Sequence, residues 1–338
     1  MVLWTSASCI MEQFKSSVPS GEDGTVSLQV DYRPLESSLE TKSAGDLIRK
    51  IDNISVAAYN IADGSLAFSK YFTSAEYNLE EVASPSGSFA ESKVYRASFT
   101  LSDIPRGKYR IYAVVNLDRN LTETELSSEA SLKSISLSWQ TTGNKACSPD
   151  NNKMFGFFTD NASTEIPENA PAITVGNSSV SLHAWVKRTV SKVTVSYDGS
   201  NLNENIYIYL KSVQIKDIPS TCLLGSSNTP ASSSELIADG ETISYSSSDV
   251  FTDWPRITKG APYYGSDHSE TAEAMYFFEN NQGTGEKQNY HPDDASWDKD
   301  KKPYGTYIEV KGYYINRNEY DASHGEIIYR FMLGQDVT

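Results

Sequence analysis

Apolar and polar residues alternate along much of this chain, and this period of two constrains its fold more than any other feature. In residues 26–32, apolar side chains from Val26 to Tyr32 occupy every second position, which is typical of a strand with one buried face. Similar runs recur at 54–60, 94–101, 109–117, 193–197, 206–218, 307–314 and 327–333. Helical patterning is limited to short stretches at 39–51 and 123–137. The sequence therefore predicts an all-β protein of antiparallel strands.

The strand predicted at 206–218 changes the parity of its apolar residues partway along. Ile206, Ile208 and Leu210 stand at even positions, whereas Val213 and Ile215 stand at odd ones. A regular strand cannot exchange its apolar face without an irregularity, because residues two apart share a face. We expect a bulge or break near residues 211–212.

The length of 338 residues suggests about two domains. Prolines at 167 and 171, and turn-forming residues up to 179, separate two strand-rich halves of similar length. We expect a flexible tail with a signal remnant at 1–22, an N-terminal β-sandwich at 23–175 and a C-terminal β-sandwich at 176–338. Both are predicted to be antiparallel sandwiches of the Greek-key, transthyretin-like kind, in tandem.

The charge balance excludes several classes of partner. Lysine and arginine number 29 against 44 aspartate and glutamate, which gives a net charge of −15. Duplex nucleic acid and anionic membrane surfaces both bind through a basic patch, so neither is expected as a partner. No apolar run approaches the ~20 residues that a membrane-spanning helix needs. The composition favours a secreted or surface-exposed protein.

The N-terminal residues suggest a lipid anchor. The segment SASC at 6–9 is similar to the end of a bacterial lipoprotein signal, in which the cysteine, here Cys9, is acylated. Such signals usually carry an aliphatic residue in place of Ser6, and too few residues precede Cys9 for a complete signal. The alternatives are acylation of Cys9 in a chain whose start is clipped, and an ordinary exposed cysteine. For Cys147 and Cys222, two free buried thiols are the expected state.

The sequence contains no arrangement that demands catalysis, so neither an enzymatic activity nor a cofactor is predicted. The four histidines lack a metal-ligand spacing, and His183 is expected at the surface or at the domain junction. Carboxylates close enough in sequence to bind Ca²⁺ occur at Asp293, Asp294, Asp298 and Asp300. The stretch lacks the glycine and the terminal glutamate of an EF-hand loop. A solvated acidic loop is therefore the preferred interpretation.

Aromatic residues in loops of the second half are candidates for ligand binding. Tyr290, Trp297 and Tyr304 lie in or beside the acidic loop, and Tyr264 lies in an earlier loop. Aromatic rings beside carboxylates suit stacking on sugar rings, and recognition in β-sandwiches concentrates at loops. Packing of the same rings onto the end of a sandwich is the alternative.

Short motifs follow one another in a characteristic order along the chain. In the first half they are ISVAAYN at 54–60, DGSL at 63–66, IPRGKY at 104–109, VVN at 114–116 and MFG at 154–156. In the second half they are VKRTVSKV at 186–193, VQI at 213–215, YFFEN at 276–280, YIEV at 307–310 and IYRFMLG at 328–334. In this order they resemble the fimbrillin superfamily of Bacteroidales, which comprises type V pilus subunits and fimbrillin-like surface lipoproteins. The family usually has Ala where this chain has Ser191.

The resemblance implies subunits joined by β-strand donation. Polymerising relatives lose their first strand when a trypsin-like protease cuts after an Arg in the following loop. The equivalent strand here is 26–32, and Arg49 is the expected cleavage site, with Lys42 as the alternative. Solvated basic residues in a polar loop are the competing interpretation. Relatives usually continue into one or two further strands, so the C-terminal sandwich is expected to lack its last strand or strands and to accept a partner's strand.

Two functional hypotheses follow. The first is a non-enzymatic fimbrial subunit or fimbrillin-like adhesion protein, lipid-anchored at the outer membrane or carried in an extracellular fimbrium, whose partners are other fimbrial subunits. The alternative is a lipid-anchored or pilus-tip binding module that does not polymerise and recognises a glycan or host protein through loops of the C-terminal domain. A glycan-active enzyme would need two carboxylates about 5–10 Å apart in a cleft, and the sequence does not locate such a pair.

Overall fold

The computed structural model describes residues 11–12, 26–32, 51–83, 93–102, 104–140, 152–160, 168–176, 179–195, 197–245, 248, 251–260, 274–282, 304–318 and 322–333. The strands of the first half are β1 (Met11–Glu12), β2 (Val26–Tyr32), β3 (Asn53–Asn60), β4 (Leu66–Thr73), β5 (Asn78–Ala83), β6 (Lys93–Leu101), β7 (Gly107–Val115), β8 (Ser136–Ser138), β9 (Met154–Thr159), β10 (Ile173–Val175) and β11 (Val180–Arg188). Those of the second half are β12 (Val190–Thr194), β13 (Ile206–Pro219), β14 (Thr221–Leu223), β15 (Leu236–Ser244), β16 (Arg256–Thr258), β17 (Ala274–Phe278), β18 (Tyr307–Asn316) and β19 (Ser323–Met332). Strands are the main element of the described chain, as predicted, and its helices are short.

One large sheet contains most strands of the first half. Its order is β4-β3-β7-β9-β11-β2-β6-β5, with β1 also paired to β11 and β10 to β7. Its pairs are antiparallel except that of β2 with β11, which is parallel. Apolar residues from strands along the whole order, among them Phe72 of β4, Ile111 of β7 and Phe99 of β6, share one core. The sheet therefore curls around a single interior.

The first core extends beyond the domain boundary predicted between residues 175 and 176. Strand β11 follows that boundary, yet it pairs with β9 and β2 and places Leu182, Ala184 and Val186 in the first core. The turn-forming residues up to 179 therefore mark a connection within the first half. The change from the first core to the second falls between Arg188 and Val190.

The second half contains a five-stranded sheet and a two-stranded one. The larger has the order β15-β13-β18-β19, with β16 also on β13, and the smaller pairs β12 with β17. Val193 of β12, Ile215 of β13 and Val310 of β18 lie in the second core. All of the pairs in these two sheets are antiparallel.

The bulge predicted near residues 211–212 is confirmed. In the pairing of β13 with β18, the register shifts between Leu210 and Ser212. Gly312 is the partner of Leu210, and a Cβ on it would lie 2.6 Å from the carbonyl oxygen of Tyr209. The irregularity brings the two backbones so close that only glycine fits.

The predicted helical stretch at 123–137 forms two short helices and a strand. Helix α1 spans Glu123–Leu126 and is capped reciprocally by Thr122 and Glu125. Helix α2 spans Glu129–Lys133, and the Ser128 hydroxyl accepts a hydrogen bond from the Ser131 N–H at its start. The side-chain caps separate the two helices, and the following residues pair as β8 with β14. The other predicted helix, at 39–51, lies almost wholly outside the described residues.

Candidate functional site

Strand β2 lies in the interior of the large sheet, between two strands that are distant in sequence. On one side it pairs antiparallel with β6, from Val26 opposite Leu101 to Tyr32 opposite Tyr95. On the other side it pairs parallel with β11, from Val26 opposite Val180 onward. This position defines the β2 slot, by which we mean the space between β6 and β11.

Leu28 anchors β2 in the first core. Its side chain is 1% exposed, and in register it stands opposite Phe99 on β6 and Leu182 on β11. Sequence reasoning identified the strand but missed this pair of flanking residues. The alternation of apolar residues from Val180 to Val186 is the sequence signal that could have identified β11 as a strand facing the core. Loss of β2 would expose the backbone edges of both neighbours and leave a gap in the core where Leu28 packs.

His183 lies beside the β2 slot, and of its two predicted positions the one at the surface is wrong, because the side chain is buried. It belongs to β11, is 2% exposed, and stands in register with Gln29 of β2. Its neighbours Leu182 and Ala184 face the first core, and successive strand residues point to opposite faces. Both faces of β11 are thus buried here. Burial lowers the pKa of His183 to about 4, so the imidazole is neutral near pH 7.

In the second half, β19 and β17 are two of the strands that have a single described partner each. Among the described residues β19 pairs only with β18, and β17 only with β12. Ile328 on β19 is 41% exposed. Such edges are places where another strand can add.

A charged cluster fixes β19 to β18. Glu309 of β18 is 5% exposed, accepts a hydrogen bond from Arg330 Nε at 2.8 Å, and lies 3.1 Å from Lys311 Nζ. Burial by itself would raise the pKa of Glu309, but the hydrogen bonds from Arg330 and Lys311 lower it. The carboxylate is therefore ionised at neutral pH and strengthens the attachment of the edge strand.

Most of the site residues predicted from the sequence lie outside the described part of the chain. These are Cys9, Lys42, Arg49, Cys147, Tyr264, Tyr290, Asp293, Asp294, Trp297, Asp298 and Asp300. Tyr304 is described and half-buried, and its carbonyl accepts a hydrogen bond from the Asn280 side-chain amide at 2.6 Å. Cys222 is free and buried, as expected, and burial raises the pKa of its thiol to about 12, which keeps it unreactive.

Two absences apply to the described residues alone. No group of three or more His, Cys, Asp or Glu side chains in that part of the chain could hold a metal ion. No helix within it has the length and apolar character needed to cross a membrane.

The chain has the architecture of an all-β protein whose first half is one curled sheet. Its residues 275–338 match the family model described as a domain of unknown function, DUF4906. No curated protein matches the sequence. Among solved structures, the chain is similar to a putative cell adhesion protein from Parabacteroides distasonis, with 13% identity, coverage of 91% of this chain and 80% of that one, and a TM-score of 0.43.

Two fimbrial proteins show comparable likeness. A fimbrial assembly protein from Parabacteroides distasonis has 12% identity, coverage of 92% of this chain and 86% of that one, and a TM-score of 0.38. The tip fimbrial protein Mfa3 from Porphyromonas gingivalis, with a C-terminal truncation, has 10% identity, coverage of 91% and 81%, and a TM-score of 0.40. At 10–13% identity, none of these likenesses shows what this chain does.

Proposed function

We propose that this protein is a non-enzymatic fimbrial subunit or fimbrillin-like adhesion protein that joins other subunits by β-strand donation at the β2 slot. The observation that supports the proposal is the interior position of β2, between β6 and β11. A strand held between two sequence-distant strands can be replaced by a strand of another chain, because its place is defined by backbone pairing on both sides.

The β2 slot has what a donated strand requires. It offers two backbone edges, antiparallel along β6 and parallel along β11, together with an apolar position now filled by Leu28. Main-chain hydrogen bonds supply affinity, and the apolar position selects the register of the incoming strand. An alternating strand from a partner subunit therefore fits the same place.

The proposal includes release of β2 and delivery to the cell surface. Cleavage after Arg49, or after Lys42, would separate β2 from β3 and allow β2 to leave. Acylation at Cys9 would anchor the uncut chain to the outer membrane until assembly. Both steps rest on the sequence resemblance.

Strand exchange at the β2 slot tests the proposal. A recognition sequence for a sequence-specific protease is placed within residues 40–47, the chain is cut, and a fluorescent peptide of residues 24–34 is added. We expect the cut protein to incorporate the peptide in native gels, whereas the uncut protein does not. The matched control is the same peptide carrying Leu28→Asp, which would bury a charge in the core and is expected to remain unbound.

SDS-resistant ladders formed by the cut protein without added peptide would show that the subunits also join one another by strand donation. A cut protein that retains β2, incorporates neither peptide and remains monomeric would contradict the proposal.

The binding-module alternative is favoured by one described contact. Asn280 is 7% exposed and fixes the Tyr304 backbone at the end of the acidic loop, so an aromatic residue is held in a defined place there. In this alternative Tyr264, Tyr290, Trp297 and Tyr304 bind a glycan or protein. Glycan-array binding that is lost on Trp297→Ala, with no strand exchange at the β2 slot, would favour this function.

A further inference from the structure

A cavity of about 300 Å³ lies where the two halves of the chain meet. Its first-half lining includes Tyr112 of β7 and Phe155 and Phe157 of β9, and its second-half lining includes residues 222–228. The Tyr112 and Phe155 rings are stacked with centroids 5.7 Å apart, and Phe157 is half-buried. The cavity thus has an aromatic floor.

The second-half wall is held firmly against helix α2. The Gly225 N–H donates to the Lys133 carbonyl at 3.0 Å, and the Leu224 N–H donates to the Ile135 carbonyl at 2.8 Å. A Cβ on Gly225 would lie 2.7 Å from Phe155 Cε1 and 2.9 Å from Lys133 Cα. Only glycine allows this approach, so the wall and the aromatic floor form a fixed shape.

The lining has more cationic than anionic groups, although the chain as a whole carries a charge of −15. Lys133, Lys187 and Arg188 line the cavity, against the carboxylates of Glu168 and Glu279. Lys187 and Glu279 form an ion pair of 2.6 Å, and Arg188 is 3% exposed. The local excess of positive charge favours a ligand that carries a negative charge.

Lys133 is the cation best placed to meet such a ligand. Its Nζ lies 5.1 Å from the centroid of the Tyr112 ring, and no carboxylate within the described residues pairs with it. A cation–π contact with a ring leaves the ammonium free to donate hydrogen bonds to an anion.

The rest of the lining is rich in neutral hydrogen-bonding groups. Asn169, Ser226 and Ser227 lie at exposed positions of the lining, and Asn228 stands on the same wall. The Asn228 amide donates to the carbonyls of Thr221 and Glu279, at 2.9 Å each, so its position is fixed. Hydroxyl and amide groups around an aromatic floor suit a polyhydroxylated ring.

We propose that this cavity binds an acidic sugar, that is, a monosaccharide unit bearing a carboxylate. The carboxylate lies near Lys133 and Arg188, the hydroxyls meet the polar lining, and the apolar face of the ring packs on Phe157. A volume of about 300 Å³ falls at the lower end of the range for small-molecule sites, which suits one sugar unit. This site is separate from the β2 slot and does not depend on strand donation.

Ligand-observed NMR titrations of the full chain test the site with glucuronic acid and N-acetylneuraminic acid. Glucose and acetate are the neutral and the simple-anion controls. We expect saturable binding of at least one acidic sugar, about ten-fold or more tighter than glucose, which lacks the charge-assisted hydrogen bond to Lys133, and than acetate, which lacks the ring and its hydroxyls. Lys133→Gln should weaken that binding at least about ten-fold.

Two further variants, both at exposed positions, serve as controls that leave the fold intact. Lys108→Gln removes an exposed lysine from the same strand as Tyr112 and is expected to bind like the wild type. Ser227→Trp replaces an exposed residue of the lining and is expected to block entry, with an unchanged thermal midpoint as the check on folding. Absence of saturable binding by both acids, equal binding of acetate or glucose, or undiminished binding by folded Lys133→Gln would overturn the proposal.

Discussion

The rings of Phe72 and Phe99 lie 4.6 Å apart between centroids, although five strands separate β4 from β6 in the order of the sheet. Six strand spacings of about 4.8 Å would place them about 29 Å apart in a flat sheet. The sheet therefore curls until β4 and β6 meet across one core, and β2 is paired with β6 and β11 within this curled sheet.

Removal of either ring should weaken this closure. We expect Phe72→Ala and Phe99→Ala each to lower the free energy of unfolding by about 3–5 kcal/mol, with a coupling of about 0.5–1.5 kcal/mol in the double-mutant cycle. Urea melts measure both quantities. Leu66→Ala, at a 38% exposed position of the same strand, is the control and should stay within ~0.5 kcal/mol of the wild type. Strictly additive effects of the two substitutions would contradict direct contact between the rings.

Because of the bulge in β13, we expect Gly312 of β18 and Gly325 of β19 to differ in their tolerance of substitution by alanine. Gly312→Ala places a Cβ 2.6 Å from the Tyr209 carbonyl oxygen, whereas Gly325→Ala meets nothing closer than Tyr314 Cε1 at 3.5 Å. We expect Gly312→Ala to cost about 1–3 kcal/mol and Gly325→Ala to be nearly neutral or stabilising. Thermal melts of the two variants check this difference, and equal midpoints would mean that the backbones are not in close contact at the bulge.

His183 should make the fold sensitive to acid. Its pKa in the folded chain, about 4, lies below the ordinary value of about 6.5, so the unfolded chain takes up the proton first. The stabilising contribution is therefore complete above about pH 6.5 and is lost as the pH falls toward 4, by at most roughly 3 kcal/mol. Chemical denaturation from pH 7.5 to pH 4 measures it.

Comparison with two variants isolates the effect of His183. His183→Gln should reduce the fall in stability on acidification, whereas His324→Gln, at an exposed position of β19, should retain it. A wild-type pH profile that His183→Gln leaves unchanged would show that other groups cause the fall.

Leu28 should determine how firmly β2 is held. Leu28→Ala removes a side chain that is 1% exposed in the first core and is expected to cost about 2–5 kcal/mol. In a chain cut between β2 and β3, the same change should speed the loss of the strand, which mass spectrometry of the separated peptide can follow. Leu79→Ala, at a 41% exposed position of β5, is the matched control. Equal retention of β2 in the two cut variants would contradict an anchoring role for Leu28.

Much of the secondary structure could be predicted because it is local. The alternation at 26–32 gave β2 with its observed bounds, and the change of parity after Leu210 gave the bulge. The reach of β13, from Ile206 to Pro219, also follows the predicted run closely. Errors arose where a residue's environment depended on distant strands. His183 has the polarity of a surface residue, but the second face of β11 is covered by other parts of the chain.

The sequence by itself determined that this chain forms strands, where most of them lie, and which positions along β2 and β13 are apolar, because a period of two is a property of neighbouring residues. Only the tertiary structure decided that β2 lies between β6 and β11, that Phe72 meets Phe99, and that Lys133 contacts Gly225 beside a cavity. Strand pairing is formed by backbone groups that are the same in almost every residue. The choice of partners therefore depends on how the whole chain buries its apolar faces together, which no local pattern records.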